Sequence, residues 1–252
     1  SSPVTGEQIT IAVKEVEGGK MSTYLNRNAK EGDMMDIMPP MGKFVLDPSP
    51  VASNHYFLFG GGSGITPLIS IAKTALKEEP NSKCYLVYAN RDEDSIIFKD
   101  EIDALEAAHD NFKVIYTLDN PKGVWMGHRG FLTKETVSEM ARQELGLNYP
   151  VAQYYTCGPG PMMEVVVEGL KTIGVRDENI NTEYFTAVVK KETVDEGNAS
   201  SEALNYSEEI VERKITVEVY GDQKEITVKP EQTILIAAQD AGMDPPYSCC
   251  VG

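Results

Sequence analysis

The chain has 252 residues, 41% of them apolar and 25% charged, the make-up of a globular protein long enough for one large or two small domains. Its net charge of −16 disfavours unspecific binding to nucleic acid or to an anionic membrane surface, since neither polyanion attracts an acidic protein. Four cysteines are too few and too clustered for a disulfide framework, no apolar run is long enough for a membrane span, and no signal-peptide pattern opens the chain; a reducing cytoplasm is the expected compartment.

In residues 1–47, ITIAVKEVEGG (9–19) and DMMDIMPP (33–40) read as strands of an antiparallel unit, joined by a short helix, MSTYLNRNA (21–29). Residues 48–189 alternate apolar runs with helical patterns. YFLFGG (56–61), CYLVYAN (84–90), FKVIYTL (112–118) and QYYTCG (153–158) are continuous rather than alternating, as in strands buried on both faces. Between them PLISIAKTALKEE, FKDEIDALEAAH and TKETVSEMARQEL have helix length, and MMEVVVEGLKTIG follows the last strand. This repetition predicts an α/β domain with a parallel sheet and helices on both faces. Residues 190–211, rich in Glu, Ser, Asn and Lys, read as a flexible tether, with a lone solvated helix as the alternative. Beyond it, ITVEVYGDQKEITV predicts a hairpin turning near Gly221–Asp222, and TILIAAQDAG a helix with Thr233 as candidate N-cap and Gly242 past its end.

The strongest chemical signal is FLFGGGSGITPLISI (57–71), a buried strand running into four closely spaced glycines and then a helix. Glycines at Gly61, Gly62 and Gly64 allow a sharp turn and bring backbone N–H groups against a phosphate. Pro67 suits the first helical turn, and the helix N-terminus supplies partial positive charge. The spacing differs from the G-x-G-x-x-G fingerprint, but the mechanics are those of pyrophosphate binding. Two further loops belong at the same carboxyl edge of the sheet. In YANRDEDSIIF (88–98), Arg91 and Ser95 meet an adenosine ribose or its 2′-phosphate, or else Arg91 pairs with Asp92 to Asp94. In TCGPGPMM (156–163), Cys157 ends a strand and the residues from Gly158 and Pro159 to Pro161 make room for a planar ligand before a helix starts, or else Cys157 is a buried small thiol beside a turn.

These residues together resemble the ferredoxin–NADP reductase superfamily of flavoprotein oxidoreductases, through GGGSGITP, CGPGPMM and TEYF (182–185). The resemblance implies that Gly61, Gly62, Gly64, Thr66 and Pro67 hold a pyridine nucleotide, NADPH in preference to NADH on the strength of Arg91 and Ser95. It implies that Cys157 and Gly158 underlie the nicotinamide and that Glu183 and Phe185 border the flavin and nicotinamide, with Cys157 and Glu183 closest to the chemistry. GGKMSTYL (18–25) is similar to the superfamily's segment for the FAD pyrophosphate, which assigns Gly19, Lys20, Met21 and Ser22; an ordinary helix cap is the plainer role for Ser22. MPPMGKF (38–44) resembles the turn closing the flavin barrel. The superfamily's Arg-x-Tyr-Ser motif for the flavin ring normally precedes an SSP-like stretch, and this chain opens at SSP.

At the other end, PPYSC (245–249) resembles the approach to the first ligand of a plant-type [2Fe–2S] run, which assigns Cys249 to the cluster with Cys250 as a non-ligand. Both ends thus fall inside motifs, and the chain reads as a piece of a longer protein. The expected architecture is multidomain: part of an antiparallel FAD-binding β-barrel (1–47), an NAD(P)-binding domain (48–189), a linker (190–211) and part of a ferredoxin-like β-grasp domain (212–252). This domain order resembles one-chain reductases that pass electrons from NAD(P)H through FAD and a [2Fe–2S] cluster to an oxygenase, most of all the reductase subunits of ring-1,2-phenylacetyl-CoA epoxidases, whose implied partner is a di-iron oxygenase. Ring-hydroxylating oxygenases and hybrid-cluster proteins are alternative acceptors. A nucleotide-binding module without redox activity and an electron-carrier or docking protein are the readings from other classes.

Overall fold

A computed structural model describes residues 2, 4–6, 8–16, 18–37, 41–185, 212–219, 222–229, 232 and 234–243. The chain divides into two compact units, 1–188 and 189–252. In the first, α1 (Lys20–Arg27) precedes a parallel sheet built from β1 (His55–Gly61), β2 (Lys83–Asn90), β3 (Phe112–Leu118), β4 (His128–Arg129), β5 (Gln153–Cys157) and β6 (Ile180–Glu183). The strand order is β4-β3-β2-β1-β5-β6, and every pairing is parallel.

The continuous apolar runs form strands because both sheet faces are covered. Tyr56 and Leu58 point to one side, where α2 (Ile65–Glu78) and α3 (Lys99–Ala108) contribute Leu68, Ala72 and Ile102. Phe57 and Phe59 point to the other, against Val137 and Met140 of α4 (Lys134–Leu145) and Val166 and Leu170 of α5 (Gly160–Thr172). Each such buried side chain contributes on the order of 2 kcal/mol of transfer free energy. The α4–α5 contact is close enough that Ser138 donates to the Gly169 carbonyl at 2.8 Å. Thr133 caps α4 reciprocally with Thr136.

The two barrel strands expected over 9–19 and 33–40 are not formed among the described residues, although the helix between them is. The alternation of ITIAVKEV satisfies the local rule, but a strand exists only when its N–H and C=O groups meet a neighbour. Here Ile9, Ile11, Met34 and Ile37 are instead exposed. Neither β4 nor β6 was expected as a strand.

In the second unit, β7 (Arg213–Val219) and β8 (Asp222–Val228) form the expected antiparallel hairpin, followed by α6 (Ile234–Asp240). Ile226 packs with Ala237 and Ala238. Gly242 follows α6 with φ 74°, a left-handed conformation suited to glycine after a helix end. Residues 186–211, Gly221, Thr233, Cys249 and Cys250 lie outside the described residues, so the tether, the hairpin turn, the helix cap and the cluster ligand fall there too. Among the described residues no helix is long and apolar enough to cross a membrane, and no group of three or more His, Cys, Asp or Glu is placed to hold a metal.

Candidate nucleotide and flavin site

The order of strands reverses at β1: α2 leads away on one face to β2, while β5 arrives on the other side of β1. The carboxyl ends of β1 and β5 therefore flank a crevice, the position where open α/β sheets bind ligands. One row of the sheet register runs across it, Tyr88–Gly60–Cys157–Glu183. Gly60 and Cys157, 97 residues apart in the chain, thus end side by side.

Above that row the two loops touch through backbone. A methyl group on Gly64 would lie 2.0 Å from the Cys157 carbonyl oxygen and 2.7 Å from the Gly158 nitrogen. A methyl on Gly158 would meet the Gly61 Cα at 3.0 Å, and one on Gly61 would meet Met162 Sδ and Pro159 Cδ at 2.7 Å. At Gly64 only glycine fits, because the added carbon would meet backbone; at Gly61 and Gly158 the neighbours would have to shift. Gly62 opens a 3₁₀ turn (Gly62–Gly64) with φ 51°, and the buried Tyr88 hydroxyl donates to its carbonyl at 2.9 Å. Thr66 and Pro67 fall in the first turn of α2, and the Thr66 hydroxyl donates to the Ser63 carbonyl at 3.1 Å. The α2 and α5 N-termini both open at this crevice, which makes it attractive to an anion.

Cys157 is fully buried. Burial first, and the nearby Glu183 carboxylate second, push its thiol up from an ordinary value of 9.0 to about 12. Both effects favour the neutral thiol over the thiolate. Glu183 ends β6 beside it, and Phe185 follows, half-exposed. One functional candidate escaped the sequence reading: Lys14 Nζ lies 3.9 Å from where a Cβ of Gly62 would be. A cation over the phosphate turn from a segment 48 residues earlier leaves no local signal in the sequence.

Arg91 pairs through Nε with Asp92 at 3.1 Å, the plainer of its two expected roles, yet its side chain remains 73% exposed. Ser95 is engaged by Asp92. Its hydroxyl donates to the Asp92 carbonyl at 2.7 Å and accepts from the Asp92 amide at 3.0 Å, while Asp92 accepts the Ser95 amide. Desolvation raises the Asp92 carboxyl, but hydrogen bonds from Arg91 and Ser95 outweigh it and hold the group below its ordinary value. The loop after β3 packs here, with the Asn120 amide on the Arg91 carbonyl and Lys122 paired to Asp94.

At α1, Gly19 is the N-cap and Ser22 is not. The Ser22 hydroxyl oxygen instead accepts the Val16 amide at 3.2 Å, folding the preceding loop back over the helix start, with Lys20 and Met21 in its first turn. A Cβ on Gly19 would lie 2.5 Å from that oxygen and 3.1 Å from the Val16 carbonyl oxygen, so a side chain there would displace the Ser22 hydroxyl. A cleft of about 500 Å³ separates residues 10–12 from the face of α2 that carries Thr66, Ile69 and Lys73. Its wall includes Phe98, in the left-handed region at φ 61°.

An oxidoreductase NAD-binding domain pattern matches residues 58–168, and an oxidoreductase FAD-binding domain pattern matches residues 1–46. The chain is 33% identical over its whole length to the ferredoxin reductase component of 3-ketosteroid-9-alpha-monooxygenase from Rhodococcus rhodochrous, covering 67% of that protein. It is 28% identical, over 96% of its length, to one of the subunits of 1,2-phenylacetyl-CoA epoxidase from Escherichia coli, covering 65% of that polypeptide. The chain thus spans about two thirds of the length of these relatives. Among solved structures, the CS-b5R domains of human Ncb5or in the NAD+ form align with a TM-score of 0.59 at 25% identity, over 68% of this chain and 47% of that one. A parallel sheet with a glycine-lined crevice at its switch point, preceded by a flavin-domain segment, defines a pyridine-nucleotide oxidoreductase. The chain belongs to the ferredoxin–NADP reductase family, with FAD- and NAD-binding domains.

Proposed function

We propose that this chain carries the nucleotide and flavin chemistry of a reductase component that takes a hydride from NAD(P)H and delivers electrons to an oxygenase. The observation that carries the reading is the approach of Gly64 to the Cys157 carbonyl, which joins the two loops into one crevice at the sheet's switch point. The glycine turn and Thr66–Pro67 hold the pyrophosphate against backbone N–H groups, and Lys14 adds a neutralising charge. Gly158 and Pro159 form the surface under the nicotinamide, with the buried Cys157 directly behind them. The neutral Cys157 thiol packs there and adds no charge beneath the ring. Glu183 and Phe185 bound the other side, and Gly19, Lys20, Met21 and Ser22 hold the FAD diphosphate at the α1 turn. FAD, when bound, supplies the two-electron acceptor that releases electrons singly. The protein contributes the ring-to-ring positioning on which hydride transfer depends.

The finer reading extends to the domain plan 1–47, 48–189, 190–211 and 212–252. In it the last segment is the beginning of a [2Fe–2S] ferredoxin domain with Cys249 as a cluster ligand, and the acceptor is a di-iron oxygenase in the cytoplasm, phenylacetyl-CoA epoxidase by resemblance. The higher identity to the ketosteroid monooxygenase component supports a second acceptor, a monooxygenase with another substrate. The deciding experiment loads the protein with FAD and mixes it anaerobically with NADPH or NADH while following flavin bleaching. Rapid bleaching is expected. Stoichiometric flavin that stays oxidised with either nucleotide would overturn the reading, and electron delivery to purified oxygenase components then ranks the acceptors.

A further inference from the structure

The site described above uses the carboxyl edge of the sheet. At the opposite edge, where β1 begins, lies a buried acid with no part in that chemistry. Glu79 is 1% exposed and stands immediately after α2, as its C-cap. An acid there opposes the helix dipole, whose negative end favours a cation or a glycine. Its carboxylate is nevertheless held by three neutral donors: the Ser49 amide at 3.0 Å, the Tyr56 hydroxyl at 2.8 Å and the Ser82 hydroxyl at 2.7 Å. Ser82 in turn accepts the Asn54 amide at 2.9 Å, and the Asn54 side chain donates to the Tyr56 hydroxyl at 2.9 Å.

Three of these residues, Ser49, Asn54 and Tyr56, lie in the stretch between the FAD-domain match ending at 46 and the NAD-domain match starting at 58. The same stretch is held a second time through aromatic rings. Tyr56 packs on Tyr155 with centroids 6.4 Å apart, and Tyr155 meets Phe44 edge-on at 5.4 Å. The Tyr155 hydroxyl also donates to the Val45 carbonyl at 3.3 Å. Tyr155 lies on β5, two residues before Cys157.

We infer that Glu79 is a positioning residue for hydride transfer, a buried clasp that fixes the connection between the flavin-binding segment and the nucleotide sheet. The inference rests on the oxidoreductase reading above. A carboxylate suits the task because its two oxygens accept from the connection, from β1 and from the approach to β2 at once. Loosening it frees Ser49 and Asn54, and through Tyr56 and Tyr155 the hold on Phe44 and Val45. The glycine turn and the Cys-Gly-Pro loop keep their own contacts, since the side-chain hydrogen bonds of Glu79 run to Ser49, Tyr56 and Ser82. The flavin segment then meets the nicotinamide loop over a wider range of angles, and the reacting rings spend less time in register.

The test uses Glu79→Gln, which keeps the shape but replaces one acceptor oxygen by a donor, with hydrogen exchange as a readout independent of cofactor. The Ser49 and Asn54 amides should exchange at least about tenfold faster, as expected for loss of a charge-assisted hydrogen bond, while amides of β5 keep their protection. In the FAD-loaded protein, flavin reduction at saturating nucleotide should slow about tenfold, with nucleotide affinity changed less than about twofold. Faster exchange spread evenly over β1, β2 and β5 would mean general destabilisation and overturn the inference. So would a loosened connection with an unchanged reduction rate, or no change in exchange at all. If the unsubstituted protein binds no pyridine nucleotide, the functional reading falls by itself, and the clasp is then decided by exchange alone. Should Glu79→Gln fail to fold, Tyr155→Phe, which removes only the bond to Val45, is expected to show the same pattern more weakly, and a normal reduction rate there overturns the inference.

Discussion

The hydroxyl of Tyr88 reaches from β2 across the end of β1 to donate to the carbonyl of Gly62, 2.9 Å away. Tyr88 is fully buried, so this bond fixes a turn residue at φ 51° from beneath. The glycine turn is thus held in shape by one of the protein's own hydrogen bonds. Tyr88→Phe should leave the fold and the melting temperature close to normal, because the ring keeps its packing. Nucleotide affinity should fall by about five- to tenfold, the worth of one ordinary hydrogen bond. Isothermal titration with NADPH and with ADP-ribose measures it, and unchanged affinity for both would remove the preformed turn from the account.

Gly64→Ala probes the contact between the loops. The added methyl meets backbone, not a flexible side-chain end, so the strain cannot relax locally. A loss of about 3 kcal/mol or more is expected, at the upper end for overpacking. Urea denaturation should show it together with loss of nucleotide binding. Gly160→Ala is the control: nothing lies within 4 Å of its added carbon, and near-normal stability is expected.

The raised thiol of Cys157 makes a pH prediction with a definite sign. Its folded value of about 12 exceeds the ordinary 9.0, so the folded state holds the proton more tightly. The stability it contributes is complete below pH 9.0 and is lost as pH rises towards about 12. Denaturation midpoints of the unsubstituted protein and of Cys157→Ser should converge across that interval. At neutral pH the serine variant should slow hydride transfer to flavin while leaving nucleotide affinity nearly intact. A covalent adduct on Cys157 during turnover would contradict the packing role.

Arg91 offers a test of nucleotide choice. Its guanidinium is shared with Asp92 but exposed, and a 2′-phosphate offers it a two-pronged contact. Arg91→Ala should raise the Michaelis constant for NADPH much more than for NADH in steady-state assays. Equal effects would remove Arg91 from the site.

The parallel-sheet core was legible because β1, β2, β3 and β5 are continuous apolar runs, buried on both faces, with helices of distinct period between them. The placement of the glycine turn and the Cys-Gly-Pro loop was legible for the same reason: each follows a strand of that sheet, and the register sets the two strand ends side by side. What the sequence hid is what depends on partners far along the chain. His128–Arg129 and Ile180–Glu183 become strands only because β3 and β5 are already there to pair with them. ITIAVKEV carries a strand's alternation, but the described residues give it no neighbour. Lys14 reaches Gly62, and Ser49 reaches Glu79, by tertiary contact alone. Arg91 read equally well as a ligand contact or an ion pair, and the fold makes the ion pair without withdrawing the side chain from solvent.

The meeting of Gly64 with the Cys157 carbonyl has a consequence for anyone recombining this protein with its relatives. The phosphate turn and the Cys-Gly-Pro loop fit each other as matched surfaces, so a chimera with its crossover between residues 64 and 157 pairs one parent's turn with the other's loop across a gap that tolerates no added carbon. Crossovers before His55 or after Met163 inherit both halves from the same parent. Exchange of nucleotide preference between relatives is therefore expected to succeed by transplanting that whole block and to fail by grafting either loop alone.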